Sequence, residues 1–261
     1  MHETISIRDH LSIRTITLLR PEKRNALTRK MIEELTHAFV DCGTNNSIQV
    51  MILTGSGNAF CSGLDLADLQ KMALQGESAQ RADSDRIATM MRTLYACPVP
   101  TIAAVQGAAV AGGMGLATIC DFTLATADAQ FGYPEVRIGF IPALVSAFLT
   151  RQVGDKQARD LLLTGRLIDV YEAHRLGLVT RVVEEPTAIE AAYDLAESLL
   201  KNSPASLRAT KGLLRRQSAD ALDRDLAAAA EANAAIRKTS EFVEGLSAFL
   251  EKRKPAWVKK P

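Results

Sequence analysis

The sequence predicts an α/β protein, in which short buried strands alternate with helices and a helical C-terminal part follows. Three observations carry this reading. The first is a charge-free run from Thr93 to Cys120, rich in Ala, Val and Gly. A membrane span needs about 20 uninterrupted apolar residues. Here Pro98 and Pro100 break the start, and Gly107, Gly112, Gly113 and Gly115 punctuate the second half, so the run reads as a buried strand, a glycine turn and a buried helix. The second observation is that short apolar runs such as Val50–Leu53 and Thr101–Val105 recur with helix-prone segments between them. The third is the change of character after Asp155, where nearly everything is helix-like and Val179–Val183 is one strand candidate.

In chain order, Thr4–Ile7 and Ser12–Leu19 alternate around Arg8-Asp9-His10 and predict a hairpin. Thr28 suits the N-cap of a helix over Arg29–Cys42, with Met31, Leu35, Ala38 and Phe39 on its apolar face. Val50–Leu53 is a strand, and Gly55-Ser56-Gly57-Asn58 is a loop. Asp65–Ala96 is polar and helix-prone, Thr101–Val105 is a second buried strand, Gly107–Thr118 turns into a helix, and Asp121–Ala125 is a further β segment. Pro186, Pro204 and Pro255 punctuate the rest, the first two at positions that suit helix starts. The expected division is an α/β core over residues 1–200 and a helical region over 201–261, forming one integrated unit.

Composition narrows the function classes. With 261 residues, 47% hydrophobic and 23% charged, the chain has material for a large core and does not resemble a disordered one. Its 31 Lys+Arg balance 30 Asp+Glu, which argues against a nucleic-acid binder dependent on counterion release. Aromatic side chains are too few for base-stacking platforms. Cys42, Cys61, Cys97 and Cys120 form no CxxC pair, and His2, His10, His37 and His174 show no metal-ligand spacing. The N-terminal MHETISIRDH lacks the pattern of a signal peptide. The expectation is a cytoplasmic protein without metal, membrane or nucleic-acid partner.

Three segments could carry chemistry. Asn58-Ala-Phe-Cys-Ser-Gly-Leu-Asp65 follows an apolar strand, and its backbone N–H groups, that of Ser62 for instance, could face a cleft; it could equally be a plain connection with Asp65 as a helix cap. Gly107-Ala-Ala-Val-Ala-Gly-Gly-Met-Gly115 enters a helix, where adjacent glycines leave N–H donors able to hold a phosphate or a transient oxyanion. The same glycines could simply let helix and strand pack closely. Glu135 lies in the otherwise apolar Phe131-Gly-Tyr-Pro-Glu-Val-Arg-Ile-Gly-Phe-Ile-Pro142; burial there would raise its pKa toward acid/base use, whereas pairing with Arg137 or exposure would leave it ordinary.

Together these segments resemble the enoyl-CoA hydratase/isomerase (crotonase) superfamily. The matching motifs occur in order: Arg20-Pro-Glu-Lys-Arg-Asn-Ala-Leu27, Phe60-Cys-Ser-Gly-Leu-Asp65, Gln106-Gly-Ala-Ala-Val-Ala-Gly-Gly113 with Cys120-Asp121, Ala129-Gln-Phe-Gly-Tyr-Pro-Glu135, Leu163-Thr-Gly-Arg166, Glu172-Ala173 with Gly177-Leu-Val179, and Phe249-Leu-Glu-Lys-Arg-Lys-Pro255. The resemblance implies a ClpP/crotonase spiral of ββα turns, with C-terminal helices mediating assembly into a trimer or a dimer of trimers. It implies an acyl-CoA substrate, coenzyme A being part of that substrate and no separate cofactor being used. It further implies Glu135 as the catalytic acid/base and the N–H groups of Ser62 and Gly112 as an oxyanion hole. Arg24, Ala26, Ser62, Gly63, Leu64, Asp65, Gly112, Phe249 and Lys252 would contact CoA or substrate. The basic tail Lys252, Arg253, Lys254, Lys259 and Lys260 would suit CoA phosphates, or would be merely solvated.

Two departures stand out. Typical hydratases of this family use two glutamates, and Gly115 occupies the position of the first. After Pro142, Ala143-Leu-Val-Ser146 replaces a glycine-rich turn, which implies a reshaped acyl pocket. The expected activity is hydration of a 2-enoyl-CoA, with Glu135 aided by backbone or by Asp65. The runner-up is 3,2-enoyl-CoA isomerisation, which needs one base and no activated water. A non-catalytic CoA- or RNA-binding relative is the alternative of another class.

Overall fold

The computed structural model describes residues 2–184 and 187–258; Pro186, Lys259 and Lys260 lie outside the described residues. Two sheets stack through most of the chain. The larger contains β1 (Ile5–His10), β2 (Ile13–Leu18), β3 (Val50–Gly55), β5 (Thr101–Val105), β7 (Phe122–Thr126) and β10 (Arg181–Val183), in that spatial order. β1 and β2 form the antiparallel hairpin, and every later pairing in this sheet is parallel. The smaller sheet has the order β4 (Ala59–Cys61), β6 (Ala108–Val110), β8 (Gln130–Gly132) and β9 (Leu167–Asp169).

The chain alternates between the sheets. β3, β5 and β7 each pass directly into β4, β6 and β8, and a helix then returns the chain to the larger sheet. The returning helices are α2 (Leu66–Ala73) with α3 (Glu77–Ala96) after β4 and α4 (Gly112–Ile119) after β6. After β8, α5 (Ala143–Thr164) leads first to β9 of the smaller sheet, and a further short helix before β10 brings the chain back to the larger one. This is a spiral of ββα turns. α1 (Arg29–Thr44) starts at the expected cap, where Thr28 Oγ1 accepts the Met31 N–H at 3.2 Å.

Strands buried on both faces read as continuous apolar runs, and β3 and β5 follow that rule. Met51, Leu53, Ala103 and Val105 face the main core between the sheets. Val50, Ile52, Ile102 and Ala104 face outward, where Ala188, Ala191, Ala192 and Ala196 of α7 (Ala188–Leu200) cover them. The alanine face lets α7 sit close to the sheet. α6 (Val170–Arg175), α8 (Pro204–Arg216), α9 (Ala219–Ile236) and α10 (Ser240–Leu250) complete the chain, with Pro204 opening α8. α9 contributes Leu222, Leu226, Ala229 and Ala230 to the main core, so the C-terminal helices and the sheets share one interior.

β4, β6 and β9 are three residues long; the first two fall where the sequence predicts a turn and the glycine turn, and β9 falls in the stretch after Asp155 that it predicts as helix-like. Such strands carry too little alternation to register as a pattern and exist because neighbouring strands pair with them. All four cysteines are free and buried. Among the described residues, no helix is long and apolar enough to cross a membrane.

Candidate active site

Parallel pairing decides what meets at the site. β4, β6 and β8 are neighbours in parallel, so the segments leaving their C-terminal ends emerge side by side. Those segments are Ser62–Asp65, Ala111–Gly112 and Tyr133–Glu135. They border a cavity of about 420 Å³ lined by Ser62, Leu64, Gly112 and Glu135. Leu66 and Leu69 of α2, Ile87 and Met91 of α3 and Ala143, Leu144 and Val145 of α5 supply apolar walls.

The first segment is held by an isolated parallel bridge to Leu27. Leu27 N–H donates to Gly63 O at 2.7 Å and Asp65 N–H donates to Leu27 O at 3.0 Å. In a parallel bridge the residue between those two bonds turns its own N–H to the other side. The Leu64 N–H accordingly has no acceptor among the described residues and faces the cavity that Leu64 lines. The Ser62 N–H, by contrast, donates to Arg24 O at 3.0 Å. The sequence expectation of Ser62 as an oxyanion donor is therefore corrected, because its hydrogen is already engaged.

The second segment reaches Gly112 through Ala111, whose φ of +53° is costly for a residue with a side chain. The Ala111 N–H is tied to Gly132 O at 2.8 Å, which anchors this conformation to β8. Gly112 is the first residue of α4, and the preceding residue provides no side-chain cap. Its N–H is among the donors that a helix start leaves without an intrahelical acceptor. The two loops touch: a Cβ on Gly63 would lie 2.7 Å from the Ala111 Cβ and 3.3 Å from the Gly112 N. Glycine at 63, with φ +86°, is what permits this approach.

The third segment places Glu135 on a short 3-10 turn, Pro134–Ile138, with proline in the first position. Gly139 ends the turn at φ +69°, where a side chain would collide with Glu241 O at 2.5 Å. Glu135 is 8% exposed, and its Oε2 is buried without a hydrogen-bond partner. Burial pushes its carboxyl up from 4.5 to about 7, opposed by a hydrogen bond from its own backbone N–H. Among the described residues, no ion pair joins it to Arg137. An orphaned carboxyl held up near neutrality, lining the same cavity as two residues with free N–H donors, can move a proton beside a developing negative oxygen.

The space beside Gly115 holds no carboxylate. A Cβ there would lie 2.6 Å from Val145 Cγ1 and 3.4 Å from Met91 Cε. Glu135 is the one acid among the described residues lining the cavity. Asp65 does not supply the missing group, because it caps α2 by accepting from Ala67 N–H at 3.1 Å and pairs with Arg20 at 3.1 Å.

The other expected contacts divide. Arg24 and Phe249 line the cavity. Ala26 is buried under the Arg20 side chain, which donates to its carbonyl at 2.7 Å. Lys252 is exposed and does not line the cavity. Asn25, beside them, turns inward at φ +54°, where its Nδ2 donates to Ser56 O at 2.9 Å and Ala59 O at 2.8 Å, clamping the loop to β4.

The sequence profile of the enoyl-CoA hydratase/isomerase family matches residues 8–260. The chain belongs to this family. A Thermus thermophilus member with a provisional enoyl-CoA hydratase name is 45% identical over 235 residues, covering 90% of this chain and 93% of its own. The crotonyl-CoA hydratase of Syntrophomonas wolfei is 31% identical over 261 residues, covering 99% of both. The crystal structure of an enoyl-CoA hydratase/isomerase from Xanthobacter autotrophicus superposes with a TM-score of 0.89 at 30% identity, covering 96% of this chain and 94% of that one. The spiral of ββα turns is thus the crotonase fold, and family members act on acyl-CoA thioesters.

Within the family pattern, the sequence showed the loss at Gly115 but not its filler. Met91 gives no signal, and Val145 shows only as part of the altered segment after Pro142, because their relation to Gly115 arises from the packing of α4 against α5 and α3. Asn233 of α9 also lines the cavity and was missed, although it shares a buried stripe with Leu226 and Ala230 at helical spacing.

Proposed function

We propose that the protein is an enoyl-CoA hydratase that adds water across the C2–C3 double bond of a 2-enoyl-CoA, with Glu135 as sole acid/base. The observation that carries this reading is the buried Glu135 carboxyl, with an unpartnered oxygen, sharing a cavity with the free N–H groups of Leu64 and Gly112. The thioester oxygen accepts from these two donors. Glu135 takes one proton from water as the water oxygen bonds to C3, and the displaced electron pair runs to the thioester oxygen as an enolate. Glu135 then returns the proton to C2 and regenerates its carboxylate. Every atom comes from water and substrate, so no separate cofactor is used.

Arg24 and Phe249, which line the cavity, and the exposed Lys252 suit the CoA moiety, whose phosphates the basic C-terminal segment attracts. Val243, Phe249, Leu250 and Trp257 leave apolar surface exposed on α10 and the tail, which supports assembly through this region as a homotrimer or dimer of trimers. Four free, buried thiols suit the cytoplasm.

The Gly115–Val145 contact favours one second reading, 3,2-enoyl-CoA isomerisation. A lone base removes a proton from C2 of a 3-enoyl thioester and returns it to C4, and an apolar wall opposite it does no harm. Purified protein incubated with 2-enoyl-CoA and 3-enoyl-CoA decides between them. A product heavier by one water from the 2-enoyl substrate supports hydration. Conversion of 3-enoyl to 2-enoyl at unchanged mass, without hydration, supports isomerisation. Absence of both reactions removes the proposal.

A further inference from the structure

We infer that Asn233 reads the far end of the acyl chain, donating from Nδ2 to an acceptor oxygen carried by that chain beyond the C2–C3 bond. The preferred substrates are then enoyl-CoA thioesters with an oxygenated tail, rather than plain alkyl chains. This inference rests on the proposed acyl-CoA reading and adds the substrate class.

Asn233 is 3% exposed and lines the cavity. Its Oδ1 accepts from Arg237 Nη2 at 2.9 Å and from Ser84 Oγ at 2.8 Å. A guanidinium can only donate, so the atom it meets must be the oxygen, and the amide orientation follows from chemistry. Nδ2 is left with no acceptor among the described residues, and the cavity is the space open to it.

The atoms behind Asn233 hold it in place. The Arg237 side chain is fully buried, its Nη1 pairs with Asp83 at 2.8 Å, and its guanidinium lies 5.9 Å from the centre of the Phe140 ring. Arg237 Nε and Gln80 Oε1 are buried without partners. A buried ionic network is an expensive way to fill space in a core, and apolar residues of similar volume often do it at no loss. Fixing one amide toward a cavity gives the network a purpose that packing does not.

The position also fits. Ser84, Ile87 and Met91 share one face of α3, and the last two line the cavity. Met91 stands beside Gly115, whereas Ser84 stands beside Asn233, two turns of α3 or about 10 Å further on. The walls between, Ile87, Leu144 and Val145, are apolar. An acyl chain entering past Glu135 along this wall meets hydrocarbon and then the Asn233 amide, the one buried side-chain N–H donor among the described residues lining the cavity.

The test compares 2-enoyl-CoA substrates of matched length ending in a methyl group, a methyl ketone or a carboxylate, with wild type and Asn233→Asp. The aspartate keeps Oδ1 for Arg237 and Ser84 while replacing the donor by an acceptor. Wild type should show kcat/KM about 10-fold higher for an oxygenated chain than for the alkyl one, as one hydrogen bond supplies. In Asn233→Asp that ratio should fall to one or below, the carboxylate suffering most. Calorimetric binding of the corresponding saturated acyl-CoA esters to wild type should show the same order in Kd, and it tests Asn233 even if no hydration occurs. Equal or better binding of the alkyl ester to wild type overturns the inference, as does an equal loss on all chains in Asn233→Asp. Preferential binding of the oxygenated ester without turnover upholds it and removes the hydratase reading instead.

Discussion

Replacing Glu135 by glutamine should stabilise the protein at alkaline pH while removing its activity. Burial holds the Glu135 carboxyl at about 7 in the folded protein against an ordinary value of 4.5. Below about 4.5 the group is protonated in folded and unfolded chains alike, and it contributes no penalty. As pH rises toward 7 the unfolded chain ionises and the folded one does not, so folding stability is lost. Above 7 the loss is complete, and the gap between the two values is worth about 3 kcal/mol. Glutamine has the same shape and no charge to bury. Any fixed cost of its amide is equal at all pH values and cancels in the comparison. Urea unfolding of both proteins at pH 5 and pH 8.5, at one protein concentration, should show the variant gaining about 2–3 kcal/mol relative to wild type between the two conditions. A difference independent of pH, or one that shrinks at pH 8.5, would refute the buried-carboxyl argument. The wild-type hydration rate should climb with pH and level off above about 7, where the carboxylate form prevails. The variant should fall by about 10²–10⁴-fold; retention of the full rate would remove Glu135 from the chemistry.

Three further outcomes follow from the same geometry. Gly112→Pro removes one N–H at a helix position that tolerates proline and should lower kcat by about 10²–10³-fold, whereas Gly112→Ala keeps the donor in ordinary contact with Leu27 and should retain most activity; equal rates for the two would exclude Gly112 as a donor. Gly115→Glu should lose about 1–3 kcal/mol by forcing a side chain against Val145, and Gly115→Glu with Val145→Ala should recover part of that loss in urea unfolding. Recovery of nothing would mean that Val145 is not the obstacle. Asn25→Ala should cost about 3 kcal/mol, because it strands the Ser56 and Ala59 carbonyls and leaves a left-handed position without its asparagine; a change under about 1 kcal/mol in urea unfolding would contradict the clamp.

Much of this architecture is written locally. Thr28, the apolar stripe of α1 and the uninterrupted Val50–Leu53 and Thr101–Val105 runs announce their elements, because each depends on neighbours in the chain. β4, β6 and β9 do not, since three residues become a strand only when others pair with them. The same divide runs through the site. Glu135 is conspicuous as a carboxylate in an apolar segment. Whether Ser62 or Leu64 frees its N–H depends on bridging to Leu27, far back in the chain, and nothing in the loop itself records that. Gly115 is visible as a loss, but Val145 as its replacement is a fact of helix packing. Ala143-Leu-Val-Ser146 could be read as a departure, and its meaning emerges in the first turn of α5, which walls the cavity.

The three parallel strands that end together have a bearing on how such a protein can change over generations. Two of the three groups they deliver are main-chain amides, which point mutation cannot delete except by introducing proline. Glu135, by contrast, is lost to a change into any residue without a carboxyl. Much of the rest of the cavity wall sits on α2, α3, α5 and α9, outside the sheet that delivers those groups. Mutational drift in those helices can retune substrate range while leaving the reaction centre in place, so that inheritance of the chemistry and divergence of the diet proceed on separate parts of the chain.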